Sequence, residues 1–268
     1  MAASDDVPNK EKMSKEEQGD GWGEILRTMI YAIIIALGIR TIAFEPFNIP
    51  SKSMEPTLLV GDYLFVSKYA YGYSRYSIPF GLPLFKGRIF ESPVKRGDVA
   101  VFKWPFDNST DYIKRIVGVP GDHIQVRNGI LYINDQEVKR TRVDDFIEKG
   151  EDGSPHHVAE YLETMPNGVS YDVLDREPDN ELDNTRVFTV PPDHYFAMGD
   201  NRDNSADSRL ELPRGVGFVP AENLVGRAEV LFFSTDGSAR WWQFWKWPTA
   251  TRWSRMFTSL RPHVSKKP

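Results

Sequence analysis

Three kinds of patterning follow one another along this chain. Residues 1–22 are rich in Asp, Glu, Lys and Ser with almost nothing to bury, and such a stretch predicts a disordered tail. From Thr28 to Ile39 the chain then reads TMIYAIIIALGI without a charge, flanked by Arg27 and Arg40, and it runs on through Thr41, Ile42, Ala43 and Phe44 before Glu45. Those uncharged residues alone rise only about 18 Å as a helix. Thr28 to Phe44 rises about 25 Å, near the roughly 30 Å hydrocarbon core once Arg40 snorkels to the interface. The pattern predicts one membrane helix over residues 23–45. A buried core helix or a cleaved export signal has a similar apolar length, but residues 1–27 hold four basic groups against seven acidic ones, and no A-x-A pattern follows Ile39. With no basic excess on either flank, charge does not orient the helix.

Beyond Phe47 the period shortens to that of strands. The runs Gly61–Val66, Gly97–Phe102, Ile124–Val126 and Ile130–Ile133 are apolar or alternating and are separated by Gly, Asn and Asp, as in hairpins. Asn128-Gly129, between two of them, is the strongest short hairpin signal in the chain. Strand patterns resume at Val187–Val190, Tyr195–Met198 and Ala228–Phe233. Residues 141–186 interrupt the series with thirteen acidic and four basic side chains, interspersed with Pro and Gly, and read as a polar, water-facing insertion. The expected architecture is mainly β: an antiparallel β-sheet catalytic body (46–127 and 187–235) with an inserted smaller polar β subdomain (128–186), preceded by the N-terminal transmembrane helix. Residues 236–268 form a tail of a third kind. From 240 onward it carries seven basic groups and no acid, and five of the seven tryptophans lie between Trp241 and Trp253. Indole and guanidinium groups favour the headgroup region, so the tail is read as membrane-proximal, with an amphipathic helix packed on the body as the other reading.

Composition narrows the chemistry. A formal charge of −5 gives no hint of a nucleic-acid partner, and the absence of cysteine removes disulfides, thiolate zinc sites and a thiol nucleophile. The five histidines, His123, His156, His157, His194 and His263, stand in neither G-x-S-x-G nor H-E-x-x-H contexts and are expected in loops or on the surface. A lysine can replace histidine as a base if burial lowers its pKa. In the run Asp111–Gly118, strand alternation puts Tyr112, Lys114 and Ile116 on one face, so Lys114 lies between two large apolar neighbours. Most strand lysines are simply solvated. Ser51 and Ser53, between Pro50 and Pro56, sit where Ser and Pro commonly form a turn. The cluster Gly199–Arg209 (GDNRDNSADSR) is dense in hydrogen-bonding groups, lacks the EF-hand spacing, and contains Arg202 and Arg209, which repel a cation. It reads as a polar network supporting a site.

Taken together, IPSKSMEPTL after the apolar segment, DYIKRIVGVPGD, and GDNRDNSADSR followed by Gly217–Pro220 and Leu224–Ala228 resemble the bacterial type I signal peptidases (leader peptidases), a family of Ser–Lys serine peptidases. The resemblance spans about Gly23 to Ser234 and is weakest in the acidic insertion and at the two ends. It implies Ser53 as nucleophile and Lys114 as general base, with the Ser51 side chain and the Ser53 backbone N–H forming the oxyanion hole. It further implies that Ser205 orients Lys114 while Asp207 and Arg209 brace the loop, and that Phe47, Ile49, Pro50, Met54, Leu58, Asp111, Tyr112 and Ile113 bind substrate. That substrate would be an exported preprotein cut after an A-x-A-like site, with no metal or cofactor. The location implied is the bacterial cytoplasmic (inner) membrane, single-pass, with the catalytic domain on the outer, periplasmic side. A self-cleaving repressor shares the chemistry, but no basic helix-turn-helix precedes the β body. A membrane-tethered, non-catalytic β module is the rival of another class, and it makes Ser53 and Lys114 dispensable.

Overall fold

The computed structural model describes residues 10–78, 87–150, 154–177 and 179–264. The chain divides into two compact units, Met1–Ala43 and Phe44–Pro268. The first contains the helix α1 (Lys10–Ile42). Of the stretch expected to be disordered, residues 1–9 lie outside the described residues, and from Lys10 onward the chain is helical. Lys10–Gln18 is rich in good helix formers, and the helix continues from there through Gly19, Asp20, Gly21 and Gly23, which favour helix poorly, into the apolar run. At the other end the helix stops at Ile42, and the expected last residues, Phe44 and Glu45, begin a strand. Pro46 disfavours helical backbone at the residue before it. Trp22–Arg40 is long and apolar enough to cross a membrane and is wholly unburied. Its apolar side chains point outward on every face, as in a membrane span rather than an amphipathic helix.

The second unit is built from strands. In chain order these are β1 (Phe44–Asn48), β2 (Asp62–Ser67), β3 (Val99–Lys103) and β4 (Asp111–Gly118), then the hairpin β5 (His123–Arg127) and β6 (Ile130–Ile133). The next group is β7 (Gln136–Glu137), β8 (Lys139–Arg142), β9 (Phe146–Lys149), β10 (Pro155–Thr164) and β11 (Val169–Asp175). The series ends with β12 (Phe188–Thr189), β13 (His194–Met198), β14 (Val219–Pro220), β15 (Leu224–Ser234) and β16 (His263–Val264). Among the described residues, the main sheet runs β1-β2-β15-β3-β4-β13-β14, a second runs β16-β11-β10-β8 with β9 on β10, and a third runs β12-β5-β6-β7. All these pairings are antiparallel. The mainly β architecture is therefore present, and Asn128-Gly129 makes the β5–β6 turn with both residues at positive φ.

The insertion is less separate than its composition implies. Its surface is polar, but Met165, Val169, Tyr171 and Val173 share one core with Val117, Ile124 and Phe196 of the catalytic body. The boundary expected at 127/128 also cuts the β5–β6 hairpin. Buried charges add to the join. Arg202 reaches from the Gly199–Arg209 loop to Glu163 on β10 with two hydrogen bonds of 2.9 and 2.5 Å, and Tyr171 donates to the same carboxylate at 2.8 Å.

The C-terminal tail folds back along β15. Leu231 exchanges backbone hydrogen bonds with the tail at Phe257 and Thr258, and Leu260 donates its N–H to Glu229. Arg255 pairs with the buried Asp62 at 2.6 Å. The only α-helical piece among the described tail residues is α2 (Trp247–Ala250), too short for the packed amphipathic helix. Instead the backbone is sewn down while all five tryptophans remain exposed, Trp241 by 80% and Trp253 by 63%.

Glu163→Ala leaves the Arg202 guanidinium buried without its carboxylate. The expected loss is about 3–5 kcal/mol, read from urea unfolding in detergent.

Candidate active site

The loop 49–61 joins β1 to β2 and carries both serines. Its neck is closed by Ile49, whose N–H donates to Asp62 O at 2.9 Å while its carbonyl accepts from Gly61 N at 3.0 Å. Met54 and Leu58 are fully buried, anchoring the loop in the core with Ile49, Leu64 and Val66. With these two apolar side chains pointing inward, Ser53 is held at the floor of a cleft and Ser51 at its rim, their Oγ atoms 3.3 Å apart.

Lys114 reaches the same point from β4. Its Nζ lies 2.6 Å from Ser53 Oγ and 3.1 Å from Ile113 O, and the side chain is only 3% exposed. Burial pushes the amine down from 10.5 to about 8, against a smaller upward pull from Asp207 and Asp200. Strand alternation explains why these carboxylates do not restore it. The next residue, Arg115, points the other way and takes Asp200 in a bidentate pair of 2.8 and 2.6 Å. Asp207 is likewise engaged: burial raises its carboxyl, but Arg209 and the N–H groups of Gly199 and Arg209 more than offset this and hold it below the usual range.

The loop carrying these acids approaches Ser53 closely. A Cβ on Gly199 would lie 2.2 Å from Ser205 Oγ and 2.5 Å from Ser53 O, so glycine is required there. Ser205 is buried, yet its Oγ has no hydrogen-bond partner among the described residues. The hydrogen bonds described for Lys114 go to Ser53 and Ile113, so the expected Ser205–Lys114 bond is not formed here.

The cleft encloses about 520 Å³. Of the expected substrate-binding residues, Phe47, Ile49, Pro50, Asp111, Tyr112 and Ile113 line it. Met54 and Leu58 do not; they are core beneath the loop, because a turn that turns its serines outward must turn these neighbours inward. Asn48, Val101, Thr110, Asn204 and Ala206 line it as well. Asn204 and Ala206 stand two residues apart in the loop already marked as a polar network, whereas Val101 enters only because β3 pairs Val101 with Ile113. No cluster of three or more His, Asp or Glu groups able to hold a metal occurs among the described residues.

The sequence profile of the family described as signal peptidase, peptidase S26, matches residues 22–233. This chain belongs to that family. Relatives named signal peptidase I include proteins of Rickettsia typhi (43% identical, covering 86% of this chain and 90% of the relative), Rickettsia massiliae (40%, covering 97% and 98%) and Rickettsia prowazekii (41%, covering 94% and 96%). As a member of the signal peptidase family the chain is a serine peptidase. Its unburied N-terminal apolar helix fits a membrane-anchored member.

One further ionisable group lies in the loop that carries the serines. Glu55, buried two residues after Ser53, is raised from 4.5 to about 7 by burial and then by Glu148, against the pull of Lys52 and Arg176. A carboxyl with a folded-state pKa above its unfolded value binds an extra proton between about 4.5 and 7, so its contribution to stability is lost as pH rises through that window. Glu55→Gln is expected to lessen the fall in Tm between pH 6 and pH 8.5 by a few degrees relative to the parent, measured by thermal melts in detergent.

Proposed function

We propose that this chain is a membrane-bound signal peptidase I that removes N-terminal signal peptides from exported preproteins, with Ser53 as nucleophile and neutral Lys114 as general base. The observation that carries the proposal is the 2.6 Å contact between Ser53 Oγ and the buried Lys114 Nζ. With a pKa of about 8, roughly a tenth of Lys114 is neutral at pH 7. The neutral amine takes the Ser53 proton as Oγ attacks the scissile carbonyl, and the resulting oxyanion accepts hydrogen bonds from Ser51 Oγ and the Ser53 N–H. As the intermediate collapses, the Lys114 ammonium gives its proton to the departing amine. The Ser53 ester is then hydrolysed by a water that Lys114 deprotonates. Asp207 and Arg209 brace the loop behind this pair.

Substrate selection follows from the edge of β4. β3 pairs with it over Asp111–Arg115, but β13 pairs only from Arg115 onward, leaving the Asp111–Lys114 stretch with one open edge along the cleft. An extended substrate segment adds there as a strand, and the residues at −1 and −3 then point to the same side. That side meets Phe47, Ile49, Val101 and Ile113. Such a wall admits alanine and excludes larger side chains, the logic of an A-x-A site.

The membrane arrangement is proposed on the same footing: a single span near the N-terminus, its preceding tail in the cytoplasm, and the catalytic body outside the inner membrane. The exposed indoles of the tail, with the stacked Phe65 and Phe232 at 4.3 Å, supply aromatic side chains suited to the headgroup region.

Ser53→Ala and Lys114→Ala are each expected to lower cleavage of a preprotein in detergent by about 10³-fold or more, and substantial activity in either would refute the dyad. For the parent, kcat/KM should rise about tenfold per pH unit below about 8 and then level off; a flat profile from pH 6 to 9 excludes this base. In liposomes, the fluorescence lost on the triple change Trp241→Phe, Trp245→Phe, Trp253→Phe should be the part quenched by brominated lipid. Equal quenching in parent and variant removes the tail from the membrane surface.

A further inference from the structure

The acidic insertion has no part in the chemistry described so far, yet hydrogen bonds lead from it directly to the peptide that carries the nucleophile. Glu148, on β9, holds Lys52 Nζ at 2.5 Å and Arg176 Nη2 at 2.6 Å. Arg176 follows the last residue of β11 and donates from Nε to Asn201 Oδ1 at 3.2 Å. That bond leaves the other half of the Asn201 amide to act as donor, and Nδ2 donates to Lys52 O at 3.1 Å. The Asn201 backbone N–H donates to Ser53 O at 3.2 Å. The carbonyls on both sides of the nucleophile are therefore held by one residue, whose amide is oriented by the insertion.

The consequence follows from the planarity of the peptide. In a trans peptide the C=O and the N–H point in opposite directions, so a carbonyl held on one side aims the following N–H to the other. The Lys52 carbonyl accepts from Asn201 Nδ2 and from Glu55 N, which is 3.1 Å away. We infer that Asn201 is a positioning residue that keeps the Ser53 N–H aimed at the oxyanion, and that Arg176 and Glu148 give the inserted strands this role in the reaction. The inference rests on the reading of that N–H as an oxyanion donor. Its support does not depend on side chains alone: Leu174 N donates to Asp200 O and Arg202 N to Leu174 O, both at 2.9 Å, and Asp203 accepts from Arg176 N at 2.6 Å and Glu177 N at 3.0 Å. The end of β11 and the loop bearing Asn201 are thus joined backbone to backbone.

A residue that aims an oxyanion donor affects the tetrahedral state and leaves ground-state binding alone. The full-length protein in detergent is assayed as Asn201→Ala, Arg176→Gln and Arg176→Lys, with a signal-peptide substrate, a peptide aldehyde that forms a tetrahedral adduct on a serine, and the matching peptide alcohol that cannot. Expected are a roughly tenfold fall in kcat with KM within about twofold for Asn201→Ala and Arg176→Gln, and a parallel weakening of the aldehyde. Alcohol binding should be unchanged, and Arg176→Lys, which keeps a donor, should recover most of the loss. Equal weakening of aldehyde and alcohol, or no change in either, overturns the inference. Should Asn201→Ala not fold by near-UV circular dichroism, Arg176→Gln and Arg176→Lys decide the matter alone. Ser51→Ala separates the two layers: if it weakens the aldehyde and Asn201→Ala does not, only the positioning role falls, whereas if neither does, the oxyanion reading itself falls.

Discussion

A lysine amine kept in the protein interior without a carboxylate of its own is the constraint around which the catalytic body is arranged. Two acids lie close enough to raise the Lys114 pKa, and each is paired with an arginine. Asp200 is gripped by Arg115 and Asp207 by Arg209, so the negative charge nearest the amine is neutralised before it can restore the ammonium. A one-residue step along a strand makes this possible. Lys114 and Arg115 point to opposite faces of β4, one into the cleft with Ser53 and the other into the polar loop. Desolvation then dominates, and the amine loses its proton more readily than a solvated lysine.

The same loop ties the insertion to the site. Asp200, Asn201, Arg202 and Asp203 each bond to a different group on or near β10 and β11. The buried ion pair among these links, Arg202 with Glu163, is costly to desolvate and contributes little net stability relative to apolar packing, but breaking such polar links is severe. They therefore act as specific fasteners, while the stability of the join comes from Met165, Val169 and Val173 entering the common core. The insertion is polar in composition because only one of its faces is covered.

Most of the architecture was legible in the local pattern. The strand runs at 61–66, 97–102, 130–133 and 195–198 each fall on a strand of the structure, and Asn128-Gly129 forms its turn, because apolar alternation and turn chemistry act over a few residues. The N-terminal extent of α1 is not legible in the pattern, because the polar residues Lys10–Gln18 favour helix as well as solvent. In the site, the serines, Lys114 and the polar loop were all visible as unusual residues in unusual settings. That Met54 and Leu58 belong to the core and not the cleft is not legible there, because the direction of a side chain in a turn depends on which neighbours the turn packs against.

Within the sequence alone lay the apolar helix, the strand periodicity, the inventory of groups able to do chemistry without histidine or cysteine, and motifs specific enough to indicate the family. These are short-range properties, readable wherever a few adjacent residues suffice. Tertiary structure decided which charges meet: that Lys114 faces Ser53 across 61 residues of chain, that Arg115 removes Asp200 from it across 85, and that Asn201 holds the carbonyl of Lys52 across 149. It also decided that the tail lies along β15 with its indoles outward. Desolvation and ion pairing depend on distances in space between groups far apart in the chain, and those distances exist only once the core has closed.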